Sequence, residues 1–140
     1  MELALATAAQ AFARDAVTYE SWGQPQLTID EYLRREEHLR MTAWSRSNLR
    51  PWVLLENGEV VASCETYAMD SRVGTTAGLT HGVASVFVER RFRGLRFASQ
   101  MMRLLVQQLR TEGAHALKTI AAIEPSLLDQ KFYLATRKAG

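Results

Sequence analysis

The stretch Ser85–Arg103, SVFVERRFRGLRFASQMMR, constrains the fold more than any other part of the chain. Val86, Phe87 and Val88 are β-branched or aromatic and read as strand. Arg90, Arg91, Arg93 and Arg96 crowd around Gly94, the one residue there that tolerates any backbone angle. Apolar residues then recur at Phe97, Met101, Leu104 and Leu105, and at Ala98, Met102 and Leu109, which is helical spacing. A strand that enters a helix through a basic glycine turn is a phosphate-binding arrangement. The first helical N–H groups have no partner within the helix, and the helix dipole favours an anion beside them. Arginine adds charge and forked hydrogen bonds to phosphate oxygens.

The rest of the chain predicts alternating helices and strands. Glu2–Thr7 reads as a short edge strand and Ala8–Ser21 as a helix with Phe12, Ala13, Ala16 and Val17 on one face. Thr28 and Glu31 fit a capping box, and a helix follows through EYLRREEHLRM. Ser45–Arg50 reads as polar loop. Asn57-Gly58 between two apolar runs predicts a hairpin, with Trp52–Leu55 on one side and Val60–Met69 on the other. Asp70–Ala77 reads as loop and Thr80–Val88 as the strand that enters the basic turn. Gly113 ends the helix after that turn. Leu117–Ile123 reads as a strand, Ser126–Lys138 as a last helix.

With 140 residues, the chain can bury the core of a single domain, 1–140. A net charge of +2 is too small to imply nucleic acid. The positive charge is local, at residues 90–96, so a small polyanion fits better than a long one. One cysteine, Cys64, excludes an internal disulfide framework and suits a reducing compartment. No apolar run reaches spanning length, and the N-terminus lacks a basic region followed by an apolar stretch. The expected location is cytoplasmic.

Arg91-Phe92-Arg93-Gly94-Leu95-Arg96 resembles motif A of the GNAT-type N-acetyltransferases, Gln/Arg-x-x-Gly-x-Gly/Ala, with Arg96 in place of the small last residue. WGQPQLTIDEYLRREEHL, the WVLL and SCETY strands, and HGVASVFVERRFRGLRFASQMMRLL together look like the N-terminal domain of the fungal lysine N6-acetyltransferase family, over roughly residues 18–110. The resemblance implies an α/β GNAT fold, a mixed and mostly antiparallel sheet flanked by helices, here lacking the last two strands. It implies acetyl-CoA as cosubstrate. Val86, Phe87 and Val88 would hold the pantetheine, and Arg91, Arg93, Gly94, Leu95, Arg96, Phe97 and Ala98 the pyrophosphate. The acceptor implied is a small primary amine, with the side-chain amine of free lysine among the candidates. Tyr133, matched to the tyrosine of the family's fourth helix, would protonate the leaving thiolate. Without the final strands, the edge at Leu117–Ile123 would be open to a second copy, giving a homodimer.

Acetyl transfer to an amine needs a proton acceptor, a donor that polarises the thioester carbonyl, and an acid for the thiolate. The coenzyme supplies the activated acyl group, so the reaction requires no protein nucleophile and no metal. Glu65, His81 and Glu89 are the candidate bases. Glu65 lies on the middle hairpin strand, His81 at a strand start where capping or surface roles are common, and Glu89 beside Arg90 and Arg91 where an ion pair is the simpler account. Cys64 has no basic neighbour pattern to activate it and reads as packing. Two other readings remain open: a coenzyme-binding or interaction module without turnover, and, more weakly, a nucleic-acid binder.

Overall fold

Two capping boxes start the helical layer. Thr7 accepts from the Gln10 amide at 3.2 Å while the Gln10 side chain accepts from the Thr7 amide at 2.9 Å, and α1 runs over Ala8–Trp22. Thr28 and Glu31 make the same exchange, and α2 runs over Ile29–Met41. The second box is legible in advance; the first, Thr7-Ala8-Ala9-Gln10, obeys the same rule. Buried Asp15 accepts two hydrogen bonds from Arg40, at 2.8 and 2.5 Å, which ties α1 to α2. The hydroxyls of Thr18 and Tyr32 meet at 2.8 Å in the same seam.

The computed structural model describes residues 1–73, 76–114, 116–119 and 133–136, with side chains over 1–70 and 78–114. Among these the strands form one sheet in the order β1 to β6. The strands are β1 Glu2–Leu5, β2 Leu49–Glu56, β3 Glu59–Val73, β4 Thr76–Val88, β5 Ala116–Thr119 and β6 Tyr133–Thr136. The first four pair antiparallel, and β5 and β6 pair parallel. This is the mixed, mostly antiparallel α/β sheet that the sequence predicts. β1 is the edge strand expected, and Asn57 and Gly58 both take positive φ, 51° and 79°, as a type I′ hairpin turn requires.

Helix α4, Phe97–Thr111, packs one face of the sheet. Its buried residues Met101, Met102, Leu105, Val106 and Leu109 meet Trp52, Leu54, Ala62, Cys64 and Val83. Its end is closed as expected. Gly113 takes φ +90°, its amide donates to Arg110, and the Ala114 amide donates back to Leu109.

Four expectations are corrected. Residues 45–48 are not loop: a short helix, α3, covers Ala43–Asn48, because the Thr42 hydroxyl caps the Ser45 amide at 3.2 Å. The span 70–77 is mostly strand rather than loop. β3 and β4 stay paired from Asp70↔Leu79 to Val73↔Thr76, and cross-strand pairing satisfies the backbone whatever the side chains. Tyr133–Thr136 is strand, not helix, because β5 offers it a partner and long-range pairing overrides local helix preference. For the same reason β5 is not an open edge: β4 pairs with one side of it and β6 with the other. The remainder of Leu117–Ile123 and of Ser126–Lys138 lies outside the described residues.

Candidate active site

The site is built where β4 breaks its pairing. Glu65 lies opposite Ala84, and Ser63 opposite Phe87, so Ser85 and Val86 together oppose Cys64 alone. This two-against-one arrangement is a β-bulge, and Ser85 takes φ +56° to make it. On the other side, the described ladder between β4 and β5 ends at Val83↔Thr119, two residues before the bulge. Val86 is 39% exposed, an apolar side chain left open at this place.

Arg14, reaching from α1, meets the bulge from the helical side. Its Nε donates to the Ser63 hydroxyl at 2.8 Å, one terminal nitrogen to Glu65 Oε1 at 2.8 Å, and the other to the Ser85 carbonyl at 2.7 Å. Nothing in the sequence singles out Arg14. The buried face of α1 is Ala11, Arg14, Asp15 and Thr18, while Phe12 and Val17 of the expected apolar face are exposed, so apolar periodicity points away from Arg14. Burial raises the Glu65 carboxyl above its usual range, against the opposing pull of Arg14.

Beyond the bulge the chain makes a 3-10 turn at Arg90–Phe92, then Arg93, Gly94 and Leu95, and enters α4. Gly94 takes φ +80° with open space where a Cβ would stand. Arg96 takes φ +63° as the residue preceding the helix. Among the described residues, nothing accepts a hydrogen bond from the amides of Gly94, Leu95, Arg96, Phe97, Ala98 or Ser99. Successive open amides at the head of a 15-residue helix, with arginines around them, suit a phosphate pair.

The arginines differ in what they hold. Arg91 pairs with Glu59 and, at 3.5 Å, with Glu89, and it lies over the Phe92 ring. Arg93 donates to the Val88 carbonyl at 3.0 Å and lies over the Phe87 ring. Arg90 pairs with Glu20 of α1 at 3.0 Å. Arg96 has no ion pair among the described residues. Phe97 packs edge-on against Phe92 and belongs to the core margin, so its amide rather than its side chain is left open at the helix start. A cleft of about 620 Å³ runs between Val17, Tyr19 and Glu20 of α1 and Phe87, Arg91 and Arg93. A smaller cavity of about 100 Å³ continues from it along Arg14, Ser63, Phe87 and Glu89.

Of the candidate bases, Glu65 sits beside the bulge and Glu89 lines both cavities. His81 is neither a cap nor a surface residue: it is 4% exposed, and burial holds its imidazole below the usual range. Cys64 is buried, and burial pushes its thiol up to about 12, which leaves it a packing residue. Tyr133 lies on β6 opposite Ala116, itself opposite Thr80. Its match to a helix-four tyrosine therefore lacks the helix.

The model of the acetyltransferase (GNAT) family matches residues 9–136. The chain belongs to that family. This acetyltransferase also resembles solved structures. Glucosamine-6-phosphate N-acetyltransferase from Arabidopsis thaliana superposes with a TM-score of 0.58 at 16% identity, over 89% of this chain and 84% of that one. A predicted acetyltransferase from Clostridium acetobutylicum, with acetyl-CoA, gives 0.62 at 18% identity, over 86% and 80%. AAC(6')-Iy, in complex with the bisubstrate analogue CoA-S-monomethyl-acetylneamine, gives 0.60 at 13% identity, over 90% and 82%. At these identities the likeness establishes the GNAT fold. No curated protein matches the chain in sequence. Among the described residues no helix is long and apolar enough to cross a membrane.

Proposed function

We propose that this acetyltransferase, acting as a single domain over residues 1–140 in the cytoplasm, transfers acetyl from acetyl-CoA to a small primary amine, with free lysine among the acceptors to test. One observation carries the reading: the amides from Gly94 to Ser99 find no acceptor among the described residues, beside a bulged strand end. The coenzyme, when bound, supplies an activated acyl group. The Gly94–Ala98 amides and Arg96 hold its diphosphate, with Arg91 and Arg93 adding positive field from their own protein contacts. The segment Val86–Val88, open at Val86, offers backbone groups to the pantetheine arm, and a bulge N–H polarises the thioester carbonyl.

Glu65 takes the proton from the acceptor amine, directly or through water, because it is the carboxylate opposite the residue before the bulge. Tyr133, the acid the family resemblance implies, lies on β6 level with Thr80, away from the bulge, and is not assigned the proton transfer here. A second copy, if one binds, meets the sheet elsewhere than at β5.

Titration calorimetry with CoA and acetyl-CoA tests the core of this reading, beside an Arg93→Ala/Gly94→Glu double variant. Heat with the parent protein and none with the variant is the expected outcome. A flat isotherm with the parent protein overturns it. A mass-resolved acetylation assay on free amino acids and polyamines then identifies the acceptor, and binding without product would return the turnover-free module.

A further inference from the structure

We propose that Arg14 is a positioning residue that holds the β4 bulge in its reactive shape and couples α1 to it; the catalytic part of this rests on the acetyl-transfer reading above. Arg14 is 7% exposed, and its charge is already answered by Glu65. An ion pair alone needs one edge of the guanidinium. Here all three nitrogens are used, and two of them serve neutral partners: the Ser63 hydroxyl and the Ser85 carbonyl.

Those partners bracket the bulge. Ser63 is the β3 residue opposite Phe87, where regular pairing resumes, and Glu65 is opposite Ala84, where it stops. Ser85 is the residue in the left-handed region, a conformation that a side chain disfavours. A residue in that region persists where its surroundings over-determine it. A bulge also takes backbone groups out of the ladder, and the part-buried Ser85 carbonyl then takes its donor from a side chain. Arg14 supplies that donor. The same guanidinium lies 5.5 Å from the Trp22 ring centroid, and Trp22 packs edge-on against Phe87. Arg14 therefore joins α1, β3 and both ends of the bulge through one rigid fork.

Removing the fork frees Ser85 to relax toward extended backbone, and the amides at 85 and 86 turn with it. Arg14→Met deletes all three bonds while keeping length and burial. Adding Ser85→Gly removes the steric objection to positive φ, so the bulge can hold its shape unaided.

The test compares the parent, Arg14→Met, Arg14→Met/Ser85→Gly and Glu65→Gln. NMR of the protein without coenzyme reads φ at residue 85 from its coupling constants and shifts. Infrared spectra of bound acetyl-CoA, carbon-13 labelled at the carbonyl, read the polarisation of the thioester. Arg14→Met is expected to move residue 85 to extended φ, abolish the bound carbonyl shift and lower kcat by up to about 10²-fold. Its coenzyme Kd stays within about threefold of the parent. The double variant regains positive φ and the carbonyl shift. Glu65→Gln keeps both and loses turnover alone. Residue 85 unchanged in Arg14→Met overturns the proposal. If the parent binds no coenzyme, the acetyl-transfer reading falls, and the φ measurement alone decides for or against Arg14. Should Arg14→Met fail to fold, Arg14→Lys, which keeps the charge facing Glu65 but not the fork, is read by the same φ measurement.

Discussion

Arg96 stands where the family pattern has glycine or alanine, and its φ of +63° shows what the position asks of the backbone. An arginine there accepts strain of about 1–2 kcal/mol that glycine avoids. Arg96→Gly is therefore expected to raise stability by about 1 kcal/mol in urea melts. If the side chain also reaches a phosphate, calorimetry will show coenzyme binding weakened by about tenfold in the same variant. On the proposed role of Glu65 as base, its carboxyl sets the pH dependence of the reaction. Burial raises its carboxyl above the ordinary glutamate range, so the acid limb of the rate profile lies above that range. Glu65→Gln should lower kcat by about 10²–10⁴-fold and flatten that limb. His81 governs stability instead. Burial and nearby Arg50 lower its imidazole below 6.5, with Glu112 opposing. The unfolded chain then binds a proton that the folded chain refuses. Stability from this source is complete above pH 6.5 and is lost as pH falls below it. His81→Phe should remove that slope in denaturant midpoints measured across the range.

At the scale of elements, α4 has two jobs. Its N-terminus presents open amides, and its apolar face fills one side of the sheet. Leu105 is wholly buried at the centre of that face, so Leu105→Ala should cost about 2–5 kcal/mol, read by chemical denaturation. The strand β6 bears on the acid. Register puts Tyr133 level with Thr80, five residues from Ser85, or about 16 Å along the strand direction. Tyr133→Phe is accordingly expected to leave kcat within about threefold of the parent, which a steady-state assay can check. Helix reading at 133–136 failed because local propensity cannot report a partner strand supplied by residues 116–119. The short helix Ala43–Asn48 was missed for a smaller reason: Thr42 caps it, but six residues show too little periodicity to register.

Over the whole molecule, α1 joins the helical layer to the chemistry. Asp15 holds Arg40 of α2, and the adjacent Arg14 holds Ser63, Glu65 and Ser85. The strand, basic turn and helix around Gly94, the Asn57-Gly58 hairpin, the Thr28 cap and the Gly113 helix end were all determined by the sequence alone. Each depends on contacts within a few residues, and local sterics and hydrogen bonding decide them. The bulge at Ser85, the clamp on it from Arg14, the burial of His81 and the β5–β6 pairing were decided only by tertiary structure. They join residues 17 to 71 positions apart, and only chain packing sets which distant group arrives opposite a given strand residue.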